Sequence, residues 1–229
     1  MRFRDYASLV LMGVAVTCAL VVTVLAVRAQ SRSNPNEQVV TILSDQEWRA
    51  ALEGGERIGH ESAPVTMVIF GDFECPACGR FARNTLSQAR ALLKDSLTVV
   101  YHHFPLPYHR FAKPAMRASE CASEQAQFAA MHDALFTYQD SLGIVPFTVI
   151  AWRAGITDTA SFRSCVERPS DDRKASGDLA LATRLGVDGT PTVIVNGSRF
   201  KNPPSVADLS AVARTSATRV MKVRASVGQ

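Results

Sequence analysis

The sequence predicts a mixed α/β domain behind one N-terminal membrane-spanning segment. The order is a βαβ unit, a block of helices, one more helix, a β-hairpin and a last helix. Three observations carry this expectation. PVTMVIFGDF (64–73) is rich in β-branched residues and runs straight into Cys75-Pro76, where a proline suits the first turn of a helix. From about Lys113 to Arg168 the texture turns Ala-rich and helical. TVIVNGSRF (192–200) places Asn-Gly between two short apolar runs, the pattern of a tight hairpin.

Residues 9–27 contain no charge, and 19 residues are about the span of a bilayer core. Arg2 and Arg4 precede them and Arg28 and Arg32 follow, so local charge barely sets orientation. The stretch is long for a signal peptide, which favours an uncleaved anchor with its N-terminus in the cytoplasm. The alternative is a secretory signal cut after Ala29, leaving a soluble periplasmic protein. Both readings export residues 31–229. Cys18 reads as a membrane residue. Thr17 fits poorly before a lipidated cysteine, and apolar residues continue beyond it.

The expected organisation is an anchor (1–30), a linker with a first strand and helix (31–55), a first α/β part (56–110), a helical insertion (111–170), a second α/β part (171–220) and a tail (221–229). VVTIL (39–43) is a strand candidate. Ser44 with Glu47 makes a capping-box pattern for a helix from about Asp45 to Glu53, stopped by Gly54 and Gly55. ACGRFARNTLSQARALLK continues the helix that starts at Pro76. LTVVYHHFPL (97–106) is the next strand, and strand–helix–strand implies a parallel pair. AMRASECASEQAQFAAMHDALF reads as one long helix, with Ala115, Ala118, Ala122 and Ala126 at helical spacing. Two shorter helices follow. DDRKASGDLALATRLG is a further helix ended by Gly186, and SVADLSAVARTSA closes the domain.

A hydrophobic content of 47% supports a real core. Net charge is +4, and Arg2, Arg4 and Arg28 against Asp5 supply half of it. No Lys/Arg stripe suggests nucleic acid. Four cysteines remain outside the apolar segment, Cys75, Cys78, Cys121 and Cys165. An even number suits two pairs in an oxidising compartment. By spacing alone Cys75 and Cys78 are half a zinc clip, a staple or a redox pair. Zinc needs a second close ligand pair, and Cys121 with Cys165 is not one. At a helix start, free N–H groups and the helix dipole favour a thiolate at Cys75. Cys78, one turn on, is placed to close or resolve a disulfide.

DFECPAC (72–78), FPLPYH (104–109) and VDGTPTVIVNG (187–197) together resemble the DsbA-type thiol–disulfide oxidoreductases, over about residues 56–215. The resemblance implies a thioredoxin fold with an inserted helical domain, preceded here by one N-terminal transmembrane helix. It implies that Cys75 attacks and Cys78 resolves, with Pro76 and Ala77 tuning the potential. Ala77 brings neither charge nor ring, so a less extreme oxidant is expected than in members with His there. Pro191 is expected to be cis against the disulfide, leaving Thr190 to pair with an extended substrate and barring metal. Cys121 and Cys165 are expected to form a second, structural disulfide. No cofactor and no metal is implied. The expected partners are thiols of unfolded or partly folded exported proteins and a quinone-linked membrane reoxidase, or an electron donor if the enzyme runs as a reductase or isomerase. A metal or peptide chaperone is the alternative of another class. Residues 31–60 are too short for a separate dimerisation domain, so a monomer is expected.

The sequence departs from the family at one place. An acidic residue often lies six positions before the first cysteine, and here that position is Ile69. Asp72 and Glu74 are the nearest substitutes as proton carriers. The plainer reading has Asp72 ordering the loop and Glu74 as a rim charge. His102 and His103 adjoin in a strand and must face opposite sides. His60, His109 and His132 read as surface, capping or core residues, and Trp48 and Trp152 as core or hinge aromatics.

Overall fold

The computed structural model describes residues 15–24, 39–169 and 173–215. The chain divides into two units, Met1–Glu37 and Gln38–Gln229. In the first, residues 15–24 form helix α1, and its Val16, Leu20, Val21, Val22 and Val24 are all exposed. Among the described residues no helix is long and apolar enough to cross a membrane. The rest of the apolar stretch 9–27, the signal cleavage site, residues 31–38 of the linker and the tail lie outside the described residues.

The second unit is built on a six-stranded sheet in the order β1-β6-β5-β3-β4-β2. The strands are β1 (Val39–Ile42), β2 (Glu56–Gly59), β3 (Val65–Gly71), β4 (Leu97–His103), β5 (Thr192–Val195) and β6 (Ser198–Phe200). Only β3 and β4 are parallel, with Ile69 opposite Tyr101. β5 runs antiparallel to β3, with Phe70 opposite Thr192. The helices are α2 (Asp45–Ala51), α3 (Pro76–Arg80), α4 (Ser87–Leu93), α5 (Ala112–Ser123), α6 (Phe128–Thr137), α7 (Phe147–Arg153), α8 (Thr159–Glu167), α9 (Arg173–Arg184) and α10 (206–215).

Local chemistry sets most of these ends. Ser44 caps α2 through the expected box: its side chain accepts from the Glu47 amide, and Glu47 accepts from the Ser44 amide. Such a cap is worth about 1 kcal/mol. Asn196 and Gly197 both take positive φ, as the hairpin turn requires. Gly186, also at positive φ, ends α9.

Three elements differ from expectation. The long Ala-rich helix is two, α5 and α6, because Ala126 turns left-handed at φ 57° and the Gln127 amide bonds back to Ala122. The redox helix is not uniform. Between α3 and α4, residues Phe81–Leu86 form a π-helical turn. Strand β2 was not anticipated. ERIG carries two charges and a single buried inward residue, Ile58, so it pairs antiparallel to β4 as an edge with no alternating signal.

Strand alternation divides the core. One face of the sheet carries Met67, Ile69, Tyr101 and Val193 against α3, the π turn and the helical block. The other carries Val68, Phe70, Val100 and Ile194 against α2 and α9. His102 and His103 face opposite sides, as expected. His102 lies on the second face, its ring nitrogens on Asp178 (2.7 Å) and the Ala51 carbonyl (3.0 Å). Trp48 packs against this face, whereas Trp152 is 68% exposed and belongs to no core. It sits on the outer side of α7, which the apolar pattern of PFTVIAW does not reveal.

Cys121 of α5 and Cys165 of α8 are buried and disulfide-bonded, with Cα atoms 5.7 Å apart. The bond closes a 44-residue separation, for which the chain-entropy model gives about 4 kcal/mol as an upper value. Replacing both by Ala is expected to lower unfolding stability by about 2–4 kcal/mol. Urea unfolding without reductant, with Cys75 and Cys78 replaced by Ser in both proteins, checks this, and an unchanged midpoint would rule out a stabilising role.

Candidate active site

β3 is the central strand, so its C-terminal end is enclosed on both sides. It leads through Asp72, Phe73 and Glu74 into Cys75, which occupies the N-cap of α3 with Pro76 at the first helical position. Pro76 costs nothing there, since its missing N–H has no intrahelical partner. Cys78 follows one turn later. Both cysteines are free thiols, 6% and 3% exposed. The pairing of Phe70 with Thr192 carries Thr190 and Pro191, just before β5, alongside this loop. The Thr190–Pro191 bond is cis. The Cys75 sulfur lies 3.5 Å from the Thr190 carbonyl, so the two sequence-distant motifs meet.

The two thiols are electrostatically unequal. Cys75 is lowered to about 5. The Cys78 thiol contributes most by donating to it, against the cost of burial. The amides of Cys78 and Ala77 add to the effect. Cys78 moves the other way: burial pushes it far up, and the neighbouring Cys75 adds to the rise. One sulfur is therefore an anion at neutral pH while its neighbour keeps its proton. A low-pKa thiolate is both an available nucleophile and a good leaving group.

A family model described as Thioredoxin matches residues 51–213. The chain belongs to the thioredoxin family. Residues 51–213 of this thioredoxin-family chain span five of the six strands, the redox loop and the helical block. Among solved structures, oxidised BdbD from Bacillus subtilis superposes with a TM-score of 0.64 at 19% identity, covering 78% of this chain and 97% of that one. Alpha-DsbA1 from Wolbachia pipientis gives 0.62 at 19%, covering 75% and 96%. These likenesses show the shared fold. A curated relative, Na(+)/H(+) antiporter NhaA 1 of Mycolicibacterium gilvum (strain PYR-GCK), is 38% identical over 154 residues. The match takes in 66% of this chain and 25% of that protein. The chain thus spans about a quarter of the curated relatives it matches.

Asp72 orders the redox loop of this thioredoxin-family chain. It is 2% exposed, and its carboxylate accepts from the Glu74 amide (2.7 Å), the Leu106 amide (2.8 Å) and His109 Nδ1 (2.8 Å). It thereby ties FPLPYH to the cysteine loop. Glu74 is not a free rim charge. Its carboxylate accepts from the Phe111 amide at the start of α5. Ile69 is buried and carries no acid, as its identity requires.

Gln139 is a site residue that sequence reasoning missed. Its amide nitrogen donates to the carbonyls of Phe73 (2.7 Å) and Cys75 (2.9 Å), and its oxygen faces Arg83. Arg83, from the π turn, also donates to the Phe136 carbonyl. A side-chain carbon on Gly79 would meet the Gln139 oxygen, so a larger residue there has to displace that amide. A lone glutamine after an aromatic helix has no local signature. Two buried hydrogen bonds of this kind are worth about 1 kcal/mol each.

The split between the thiols has a measurable consequence. The lowered Cys75 stabilises the dithiol form fully above its ordinary value of 9.0, and that stabilisation is lost as pH falls through about 5. Between about pH 6 and 8, reduction takes up two electrons and one proton. The reduction potential should fall by about 30 mV per pH unit there, steepening to about 59 mV below pH 5. Titration in glutathione buffers checks this, and the steep slope persisting at pH 7 would contradict the assignment.

Proposed function

We propose that this chain is a thiol–disulfide oxidoreductase that donates the Cys75–Cys78 disulfide to exported proteins. One observation carries the reading. The Cys75 thiolate is held by the Cys78 thiol and helix-start amides, and this favours the dithiol product over the disulfide. A substrate thiolate attacks Cys75 and the Cys75–Cys78 bond breaks. Cys78 leaves and takes up a proton. A second substrate thiolate then attacks the substrate sulfur, and Cys75 departs as a thiolate. Two electrons have passed to the enzyme, and the substrate has gained a disulfide.

Thr190 and Pro191 are the substrate-binding edge in this reading. Pro76 and Ala77 tune the pair, Asp72 and Glu74 hold the loop, and Cys121–Cys165 braces the helical block. The protein acts as a monomer without a cofactor. Its apolar stretch 9–27 serves as a single-pass tether, with the domain on the periplasmic side of the cell membrane. The exposed apolar residues of α1 and a buried disulfide, a bond of oxidising compartments, support that placement. A quinone-linked membrane partner reoxidises the dithiol. The antiporter name belongs to relatives three-quarters of whose length has no match here, and ion transport is not part of this proposal.

The direction is tested by the reduction potential of the Cys75–Cys78 pair at pH 7. A value of about −120 to −150 mV is expected, and about −250 mV or below would make the chain a reductase fed by an electron donor. The same preparation tests the tether: the full chain should stay in the membrane pellet after an alkaline wash, and release would indicate a cleaved signal.

A further inference from the structure

Cys75 is held through its backbone as well as through its sulfur. Its amide donates to the Asp72 carbonyl (3.2 Å), and its carbonyl accepts from the Gly79 amide (3.0 Å) at the start of α3. Both of these bonds are local. Gln139 adds a distant one. It lies in the short helical turn Gln139–Ser141 that follows α6, is 8% exposed, and stands 64 residues beyond Cys75 in the chain. Its amide nitrogen donates to the Cys75 carbonyl (2.9 Å) and to the Phe73 carbonyl (2.7 Å).

This amide has one orientation open to it. Its nitrogen carries two protons, and the two carbonyls take both. Turned over, its oxygen would face two acceptors. The oxygen instead faces Arg83, whose Nη1 lies 3.4 Å away and also donates to the Phe136 carbonyl. Phe136 is in the last turn of α6, where carbonyls have no partner within the helix. Arg83 therefore closes the end of α6 and sets the Gln139 amide with one nitrogen. It comes from the π-helical turn Phe81–Leu86, where the Ser87 amide reaches back five residues to the Ala82 carbonyl. Such turns recur at functional sites. Gly79 leaves room for the pair: a side-chain carbon there would lie 2.1 Å from the Gln139 oxygen and 2.9 Å from Arg83 Nη1.

We propose that Gln139, oriented by Arg83, is a positioning residue for disulfide exchange: it fixes the Cys75 backbone so that the sulfur stays at the start of α3, beside the Thr190 carbonyl. The proposal rests on the exchange reading above. Cys75 is the N-cap, with φ −69° and ψ 119°. Rotation about its ψ bond swings the carbonyl, and the helix behind it, relative to the sulfur. Gly79 belongs to that helix and moves with it. Gln139 does not, so its bond to the carbonyl stops the rotation from outside. Its second bond, to Phe73, holds the loop on the other side of the cysteine. The Ala77 and Cys78 amides then stay aimed at the sulfur, and the Thr190 carbonyl stays 3.5 Å from it. Without Gln139 two buried carbonyls lose a donor, and the loop shifts to find others.

Two variants of the full chain test this. Gln139→Met keeps the side-chain length and removes both donors without adding charge. Gly79→Ala keeps Gln139 but pushes its amide aside, and alanine suits a helix better than glycine. In both, the pH of half-maximal Cys75 alkylation should rise from about 5 by about one unit. At pH 7 the equilibrium with glutathione should move about tenfold toward the Cys75–Cys78 disulfide, a fall of about 30 mV in potential. Either folded variant with both readouts at their wild-type values overturns the proposal. So does a lowered urea midpoint with both readouts unchanged, which marks a purely structural brace. A wild-type chain that does not exchange with glutathione overturns the exchange reading itself. That is a distinct result, because the alkylation shift does not depend on exchange.

Discussion

One charge organises this site: the Cys75 thiolate at the first turn of α3. A bare sulfur anion packed against a sheet would be costly to bury. Here it is met by the Cys78 thiol and the amides of Cys78 and Ala77. Each donor comes from a different constraint. The helix start supplies the amides because four N–H groups there have no internal partner. The spacing of a single turn supplies Cys78. The register of β5 against β3 brings the Thr190 carbonyl alongside the sulfur, from more than a hundred residues away in sequence.

The remainder of the second unit keeps those donors in place. Asp72 binds three donors and fixes the loop before the cysteines to the loop after β4. The helical block is more than an appendage, because Gln139 from it holds the carbonyls of Phe73 and Cys75, and Glu74 reaches back to its first amide. The Cys121–Cys165 bond and the buried faces of α5, α6 and α8 keep that block compact. On the opposite face, His102 and Asp178 join β4 to α9. The unequal titration of the two sulfurs is thus a property of the assembled unit, not of the CPAC stretch alone.

The parts of this arrangement that are local were legible beforehand. Cys-Pro after a β-branched run marks a helix start, and Ser44 with Glu47 marks another. Asn196-Gly197 marks the hairpin. The cis Thr190–Pro191 bond and the Cys121–Cys165 pairing followed from the family resemblance, since neither spacing nor composition specifies them. What escaped depends on contacts between distant residues. β2 has one inward side chain and no periodicity. Ala126 has a helix former's identity in a left-handed conformation. Gln139 looks like an ordinary neighbour of an aromatic core until the helical block brings it onto the cysteine loop. The departure at Ile69 was visible in the sequence itself.

The account stands on the inequality of Cys75 and Cys78. It is tested most directly by alkylating the reduced protein with limiting iodoacetamide across a pH series and locating the label by peptide mass. The account predicts label at Cys75 alone, with half-maximal reactivity near about 5. A midpoint near about 8.5, the value of an unperturbed thiol, or comparable labelling of Cys78, would contradict it.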